Sequence, residues 1–503
     1  MGTYPKRTLF FDLCGAGIVL FWLVMLATLV KKVEFGEETF ACGHEFPQVT
    51  LDSPQREWKE IYLKDKKVGY AVNLIKPIDE GFFIQEELFL LFNLMGVANG
   101  VETLIQSETD RQFRLKSFHF RLRSGVVTFK ASGYIADGDL IVSTGKGTDS
   151  RSKRIALNGT TPLMGAGLGH FFKSRRMRVG DTFTLPVFDP SAMAHREATF
   201  RVVERESIRV NQTTYIALRL ETELLGQRMS FWLDEEGTTL KEEGFLGLTA
   251  IKSNAANAPR GLEESADLDL YELTAIIPDK DLPEPARMTY LRVKLSGFED
   301  ADLAPEDLNS GRQTFQNGVM ETTQEALPAS PAYLLPDGPD DEALRPFLVP
   351  AFNIESDEEE IITKAHQVAG NERRPLVVCQ RLLNWVYHHI EKRPVVSIPS
   401  AVEVLRTGMG DCNEHATLLT ALLRAMGIPA RVSCGLVYTR GRFFYHAWTE
   451  AYVGGWVTLD ATMNQIPVDV THIKLVQGNL DKQVEIAGLI GKLNVGVLEY
   501  HYD

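Results

Sequence analysis

A chain of 503 residues is too long for one compact core and implies two or three domains. Apolar residues make up 44% and charged residues 24%, the balance of a globular protein, so wholesale disorder is excluded. A formal charge of -14 excludes a surface built to track phosphates, and nucleic acid is set aside as a partner.

The first element in chain order is a charge-free apolar run, Leu13 to Val30, flanked by Lys6-Arg7 and Lys31-Lys32. It is near the lower limit for crossing a bilayer and longer than the apolar part of a cleaved signal. Residues 1–34 are therefore read as a cytoplasmic tail and an uncleaved transmembrane signal anchor. The basic residues on the two sides nearly cancel. The short leading segment then places the bulk of the chain outside the cytoplasm, a single-pass protein of the cell membrane facing the periplasm with envelope proteins as candidate partners.

Residues 50–296 are predicted to be β-rich. Alternating or aromatic-rich runs at 70–75, 113–122, 199–204 and 215–224 are separated by turn dipeptides such as Asp137-Gly138 and Glu236-Gly237, the pattern of an all-β antiparallel barrel or sandwich. Phe113, Phe118 and Phe120 read as core, and nothing there has ligand spacing. One more strand is expected at 290–295. The acidic, Pro- and Gly-rich stretch 297–350 reads as a linker, and 351–503 as a second domain. That domain opens with helices: Ser356 and Glu359 have capping-box spacing, a second helix is expected over 376–391, and Ser400 with Glu403 repeats the box before a short third.

The cysteines are Cys14, Cys42, Cys379, Cys412 and Cys434, with no CxxC pair, so no zinc site and no cofactor is expected. Cys379 and Cys434 lie in apolar segments and read as buried thiols. Cys412 differs. Gly408 and Gly410 permit a sharp turn, Asp411 is placed to cap the next helix, and apolar residues at 418, 419, 422, 423 and 426 give that helix a buried stripe. Cys412 then falls in the first turn, where unpaired backbone N–H groups and the helix dipole favour a thiolate.

Downstream, FFYHAWTEAYVGGWVTLDAT reads as two strands around a Gly-Gly turn, with His446 on the first and Asp460 on the second. A cysteine nucleophile needs an imidazole as base, and the imidazole a carboxylate to orient it. Register tests the idea. A strict two-residue turn at Gly454-Gly455 would put His446 and Asp460 on opposite faces, whereas a loop of three or five residues puts them on one. Ala451 to Gly455 as a five-residue loop would set them directly opposite each other. The odd loop is predicted, with Trp448 and Glu450 on the same face as His446 and Trp448 walling the site from water.

The strings GDCNEHATLLTALLRAMGIPARV, FFYHAWTEAYV and WVTLDAT together resemble the transglutaminase-like core of many bacterial and archaeal proteins, over residues 355–480. The resemblance implies a papain-like α+β fold with Cys412, His446 and Asp460 in the triad positions. Ala461 stands where many relatives have Pro. It also implies acyl transfer through a Cys412 thioester, with a protein or peptide as substrate. A protease or amidohydrolase is favoured over a protein-glutamine cross-linker, and a catalytically idle interaction scaffold is the reading from another class. The zinc-binding cysteine pairs that accompany many peptide N-glycanases are absent.

Overall fold

The computed structural model describes residues 39–40 and 49–502, apart from 95, 126, 145–150, 174–176, 191–192, 225–226, 263–267, 299–302, 395, 479–485 and 487–488. Among the described residues no helix is long and apolar enough to cross a membrane. The longest, Pro375–His389, has 15 residues and exposes Arg381 and His388, where a span takes about 20 mostly apolar ones. This corrects the expected fold class, which began with a transmembrane helix. The run Leu13 to Val30 lies outside the described residues. What the structure does contain is a large antiparallel sheet domain followed by an α+β domain.

The sheet domain is one continuous sheet of 15 strands, antiparallel except where Thr39–Phe40 pairs in parallel with Thr182–Asp189. One meander runs from Gln55–Leu63 to Arg151–Ala156 and another from Thr182–Asp189 to Leu248–Ser253. They join where Leu248 pairs with Leu63. The Asp137-Gly138 signal is a two-residue hairpin turn with positive φ at both positions, 52° and 79°, the twist that such a turn requires. Phe82 and Ile84 share a core with Phe183, Leu185 and Phe200 although many strands separate them in the sheet order, so the sheet curls round on itself rather than splitting into two stacked layers. The helix Gly165–Lys173 fills the interior with Phe171 and Phe172. Phe113, Phe118 and Phe120 are buried.

The stretch 297–350, read as a linker, is packed. Its short helix Pro305–Leu308 and its strands Gln313–Gln316 and Val319–Thr323 belong to the second domain. Val319–Thr323 pairs with Met288–Ser296, which pairs on its other side with Asn494–Tyr502. Leu308 and Met320 sit in one core with Val470 and Leu475. The composition describes the solvent face of this stretch; a few well-placed apolar residues hold the other.

Four helices follow: α1 (Glu359–Ala369), α2 (Pro375–His389), α3 (Ala401–Thr407) and α4 (Cys412–Ala425). Then come β1 (Ala430–Thr439), β2 (Arg442–Tyr452), β3 (Trp456–Leu459) and β4 (Ile473–Gln477), in sheet order β3-β2-β1-β4. The Ser356 box does not form: α1 begins after Glu358 without a side-chain cap. The turn before it is held elsewhere, since the Ser356 N–H donates to the Ile354 carbonyl and Glu355 accepts from Ser400 Oγ and the Ala401 N–H. Ser400 does cap α3, accepting from the Glu403 N–H at 3.3 Å.

α4 exceeds its expected stripe. Every residue from Glu414 to Arg424 is buried, because α1, α2 and α3 cover one side and β1 and β2 the other. Some of its polar residues find partners, Thr420 Oγ1 meeting Thr449 Oγ1 and Arg424 donating to the carbonyls of Ala430 and Val349, while Thr417 Oγ1 and His415 Nε2 have none within the protein.

Candidate active site

Cys412 is the first residue of α4. Asp411 Oδ1 accepts from the Asn413 N–H at 2.9 Å, and Glu414 Oε2 accepts from the Asp411 N–H at 2.9 Å, a complete capping box worth about 1 kcal/mol. The returning Glu414 side chain explains the glycine before the cap: a Cβ on Gly410 would meet Glu414 Cβ at 2.2 Å. Gly408 takes the left-handed conformation that ends α3, with φ 63°.

α4 packs against the strand that carries the imidazole and brings the Cys412 thiol near enough to the backbone N–H of Ala447, the residue after His446, for that N–H to favour the ionised sulfur. Burial pushes this thiol well up, the charges of Asp411 and Glu414 push the same way, and the Ala447 N–H opposes them. That differs from the thiolate expected at a helix start. The capping carboxylates set a negative field on the sulfur against the positive end of the helix.

The hairpin loop is odd, as predicted. Tyr452 pairs with Trp456, leaving three residues, Val453 to Gly455, as the loop. In this register Thr449 pairs with Leu459, so His446 and Asp460 share a face as diagonal neighbours, not as the direct pair a five-residue loop would give. The imidazole still reaches: His446 Nε2 lies 2.7 Å from Asp460 Oδ2. With Nε2–H donating to the carboxylate, Nδ1 is left with a lone pair, the arrangement of a base.

Asp460 is fully buried. Burial alone would raise its carboxyl, but the charge and hydrogen bond of His446, then those of His472, hold it far below the usual carboxylate range. Its other oxygen accepts from the N–H groups of Thr462 at 2.7 Å and Met463 at 3.1 Å, and Asp460 and Gln465 exchange backbone hydrogen bonds that close the loop.

His472 is a partner that sequence reading missed. Its Nε2 lies 3.2 Å from Asp460 Oδ2 and its Nδ1 3.3 Å from Asp469 Oδ1. Burial lowers its basicity, but the hydrogen bonds to both carboxylates outweigh burial and the net shift is upward. An imidazole that donates from both nitrogens is an imidazolium. The ligand atoms of His446, Asp460 and His472 lie within 4.8 Å of one another, so these three could hold a cation, though only by giving up the hydrogen bonds just described.

Trp448 is 1% exposed and lies 6.3 Å from the His446 ring and 5.4 Å edge-on from His472. Glu450 shares that face but is occupied elsewhere: Arg431 holds one oxygen at 2.6 Å and Lys474 the other at 2.9 Å. Against burial, those two cations bring its carboxyl down to about 2. A second residue missed in the sequence is Tyr271, on the helix Leu270–Thr274 that leads in from the sheet domain. It stacks on Phe444 at 4.3 Å. Burial first, and then the charge of Cys412, push its phenol up to about 12. Cys379 and Cys434 are free and buried, and burial pushes the Cys434 thiol up to about 12.

Residues 362–461 match the family described as the transglutaminase-like superfamily. An uncharacterized protein of Mycobacterium leprae (strain TN) is 32% identical over 89 residues, 16% of this chain and 31% of that protein, so the chain spans about a third of the length of this curated relative. Among solved structures, the "Putative Cysteine Protease from Cytophaga hutchinsonii" aligns at 20% identity over 43% of this chain and 86% of that one, with a TM-score of 0.29. A beta-barrel-like protein of a domain of unknown function from Brucella abortus aligns at 11% identity over 40% of this chain and 96% of that one, with a TM-score of 0.32. At such TM-scores neither likeness adds to the argument, and the assignment rests on the family match.

Proposed function

Taking as premise that the C-terminal domain is transglutaminase-like, we propose that it is a cysteine hydrolase acting on protein or peptide amides through a Cys412 thioester. The observation that carries this reading is the capped helix that brings a thiol against the backbone of the residue next to His446, whose imidazole is fixed by Asp460.

Because the thiol is held up, His446 Nδ1 takes the Cys412 proton as the sulfur attacks the amide carbonyl, in place of a preformed ion pair. The Cys412 N–H, unpaired at the first helical position, is a donor for the oxyanion. His446 returns the proton to the leaving amine, the C–N bond breaks, and a thioester remains. Water then adds to the thioester with His446 as base, releasing a carboxylic acid and restoring the thiol.

Trapping tests it. A peptide amide is incubated with the protein, the adduct on Cys412 is read by mass spectrometry, and the products are followed with and without a labelled primary amine. The reading expects an acyl adduct absent from Cys412→Ala and release of free acid in preference to labelled amide. Labelled amide as the main product would make the protein a cross-linker. An absent adduct would leave a scaffold.

A further inference from the structure

The chain between Val468 and Lys474, which carries His472, is gripped from behind by side chains of the stretch 297–350. Arg312 Nη1 donates to the carbonyls of Val468 at 3.0 Å and Asp469 at 2.9 Å, and its Nη2 donates to the carbonyl of His472 at 2.6 Å. The next residue, Gln313, holds Lys474 by both of its backbone groups: Oε1 accepts from the N–H and Nε2 donates to the carbonyl, each at 2.8 Å. Thr322 Oγ1 donates to the carbonyl of Val470 at 2.6 Å.

These contacts divide the work. Gln313 and Thr322 are neutral and bind at 474 and 470, where the chain enters β4. Neutral groups suffice to dock a strand. Arg312 brings a charge, and burial pushes its basicity down against the charges of Glu325, Asp469 and Glu450. A charge set among main-chain carbonyls costs more than a neutral brace would. What it adds is a planar fork of ionised donors that fixes several oxygens in one geometry.

The oxygens it fixes belong to the residues that most affect Asp460. Asp469 and His472 are the two ends of one side-chain contact, and the other nitrogen of the His472 ring lies 3.2 Å from Asp460 Oδ2, at the long end of the hydrogen-bond range. A small displacement of the His472 backbone breaks that bond. The oxygen released is the one that holds His446. We propose that Arg312 is a positioning residue for the chemistry at Cys412: by fixing the carbonyls of Asp469 and His472 it keeps the His472 ring on Asp460 and so the Asp460 carboxylate against His446. Its kinetic consequence rests on the thioester reaction proposed above; its structural consequence does not.

The full chain is assayed with p-nitrophenyl acetate, an activated ester that acetylates the Cys412 sulfur with release of p-nitrophenolate, after which water releases acetate with His446 as base. The native protein is compared with Arg312→Met, His472→Gln and the double variant. Arg312→Met is expected to keep KM and lower kcat by about tenfold or more, as a displaced catalytic group does. In the His472→Gln background the same substitution should cost less than about twofold, because the group it acts through is gone. Equal losses in the two backgrounds mark a brace of the fold and overturn the proposal, as does an unchanged kcat. Release of p-nitrophenolate that is the same in Cys412→Ala tells instead against the thiol hydrolase, and proton NMR then decides: the downfield imidazole N–H signal that His472→Gln removes should be lost from Arg312→Met as well, and its survival there overturns the proposal. Should Arg312→Met fail to fold, Arg312→Lys, which keeps the charge but lacks the fork, takes its place in each comparison.

Discussion

Two interiors of this molecule are both buried and chemically opposite. In the curled sheet, Phe82, Phe172, Phe183 and Phe200 meet one another in an apolar core. Beneath β2, the buried set is His446, Asp460, His472, Glu450, Arg431 and Lys474, joined by hydrogen bonds and ion pairs. An apolar core gains from burial and tolerates exchange of one hydrocarbon for another of like volume. A buried charged set gains little or nothing over an apolar replacement, and removing one member leaves the next uncompensated. The fold alone accounts for the first interior. Under the proposed function, the charges around His446 in the second are explained by what they do to a proton.

The strongest break of this comparison is Asp460→Asn. It keeps shape but removes the charge that orients His446, and turnover is expected to fall by about 10³- to 10⁴-fold, read as kcat/KM, with little change in the circular dichroism spectrum. Phe200→Ala, in the apolar interior, is expected to reverse the pattern: a loss of about 3–5 kcal/mol in denaturant unfolding, with Cys412 alkylated at the native rate in the protein that stays folded.

His472→Gln comes next. It can satisfy one of two carboxylates, and losing a charge-assisted hydrogen bond should cost about 1.5–3 kcal/mol of stability. This residue also sets a pH dependence. Because its folded basicity is raised above the ordinary value of about 6.5, its contribution is complete below that pH and is lost as pH rises through the folded value. The depressed carboxyls of Asp460 and Asp469 act at the other end, contributing above about pH 4 and losing that contribution as pH falls through their folded values. Melting temperature against pH should therefore fall on the alkaline side in the native protein, and the alkaline fall should flatten in His472→Gln.

The smallest effect is the most specific. Asn caps a helix as well as Asp does, so Asp411→Asn should keep α4 while removing a charge that holds the Cys412 thiol up. Alkylation by iodoacetamide at pH 7 should speed up by about two- to fivefold. An unchanged rate would mean that the Asp411 charge does not set this thiol.

What was legible in the sequence was local. The Asp411 cap, the glycines before it, the odd hairpin loop and the sharing of a face by His446 and Asp460 all depend on residues within a few positions of one another. Direct opposition of that pair required knowing whether Tyr452 pairs with Trp456, which β-propensity does not decide. His472 and Tyr271 carried no spacing signal, because each reaches the site through a fold-level contact: His472 by the strand order that sets β4 beside β1, Tyr271 by the approach of the sheet domain. The stretch 297–350 looked like a linker because its strand Val319–Thr323 pairs near 290, with a strand whose other neighbour lies near 495. Composition cannot register an interaction over such separations.

The strand Asn494–Tyr502 completes the sheet begun by Met288–Ser296, and Tyr502 reaches back to the carbonyl of Pro283, 219 positions earlier. A ribosome delivers those two halves in order, at roughly 5–20 residues per second. The second domain therefore waits ten seconds or more, on that estimate, with its first strand lacking a neighbour. Such a strand is an invitation to mispairing, and it makes Asn494–Tyr502 a lock on maturation. A chain stopped at residue 493 should emerge protease-sensitive around 288–323, and supplying 494–502 as a separate peptide should restore resistance.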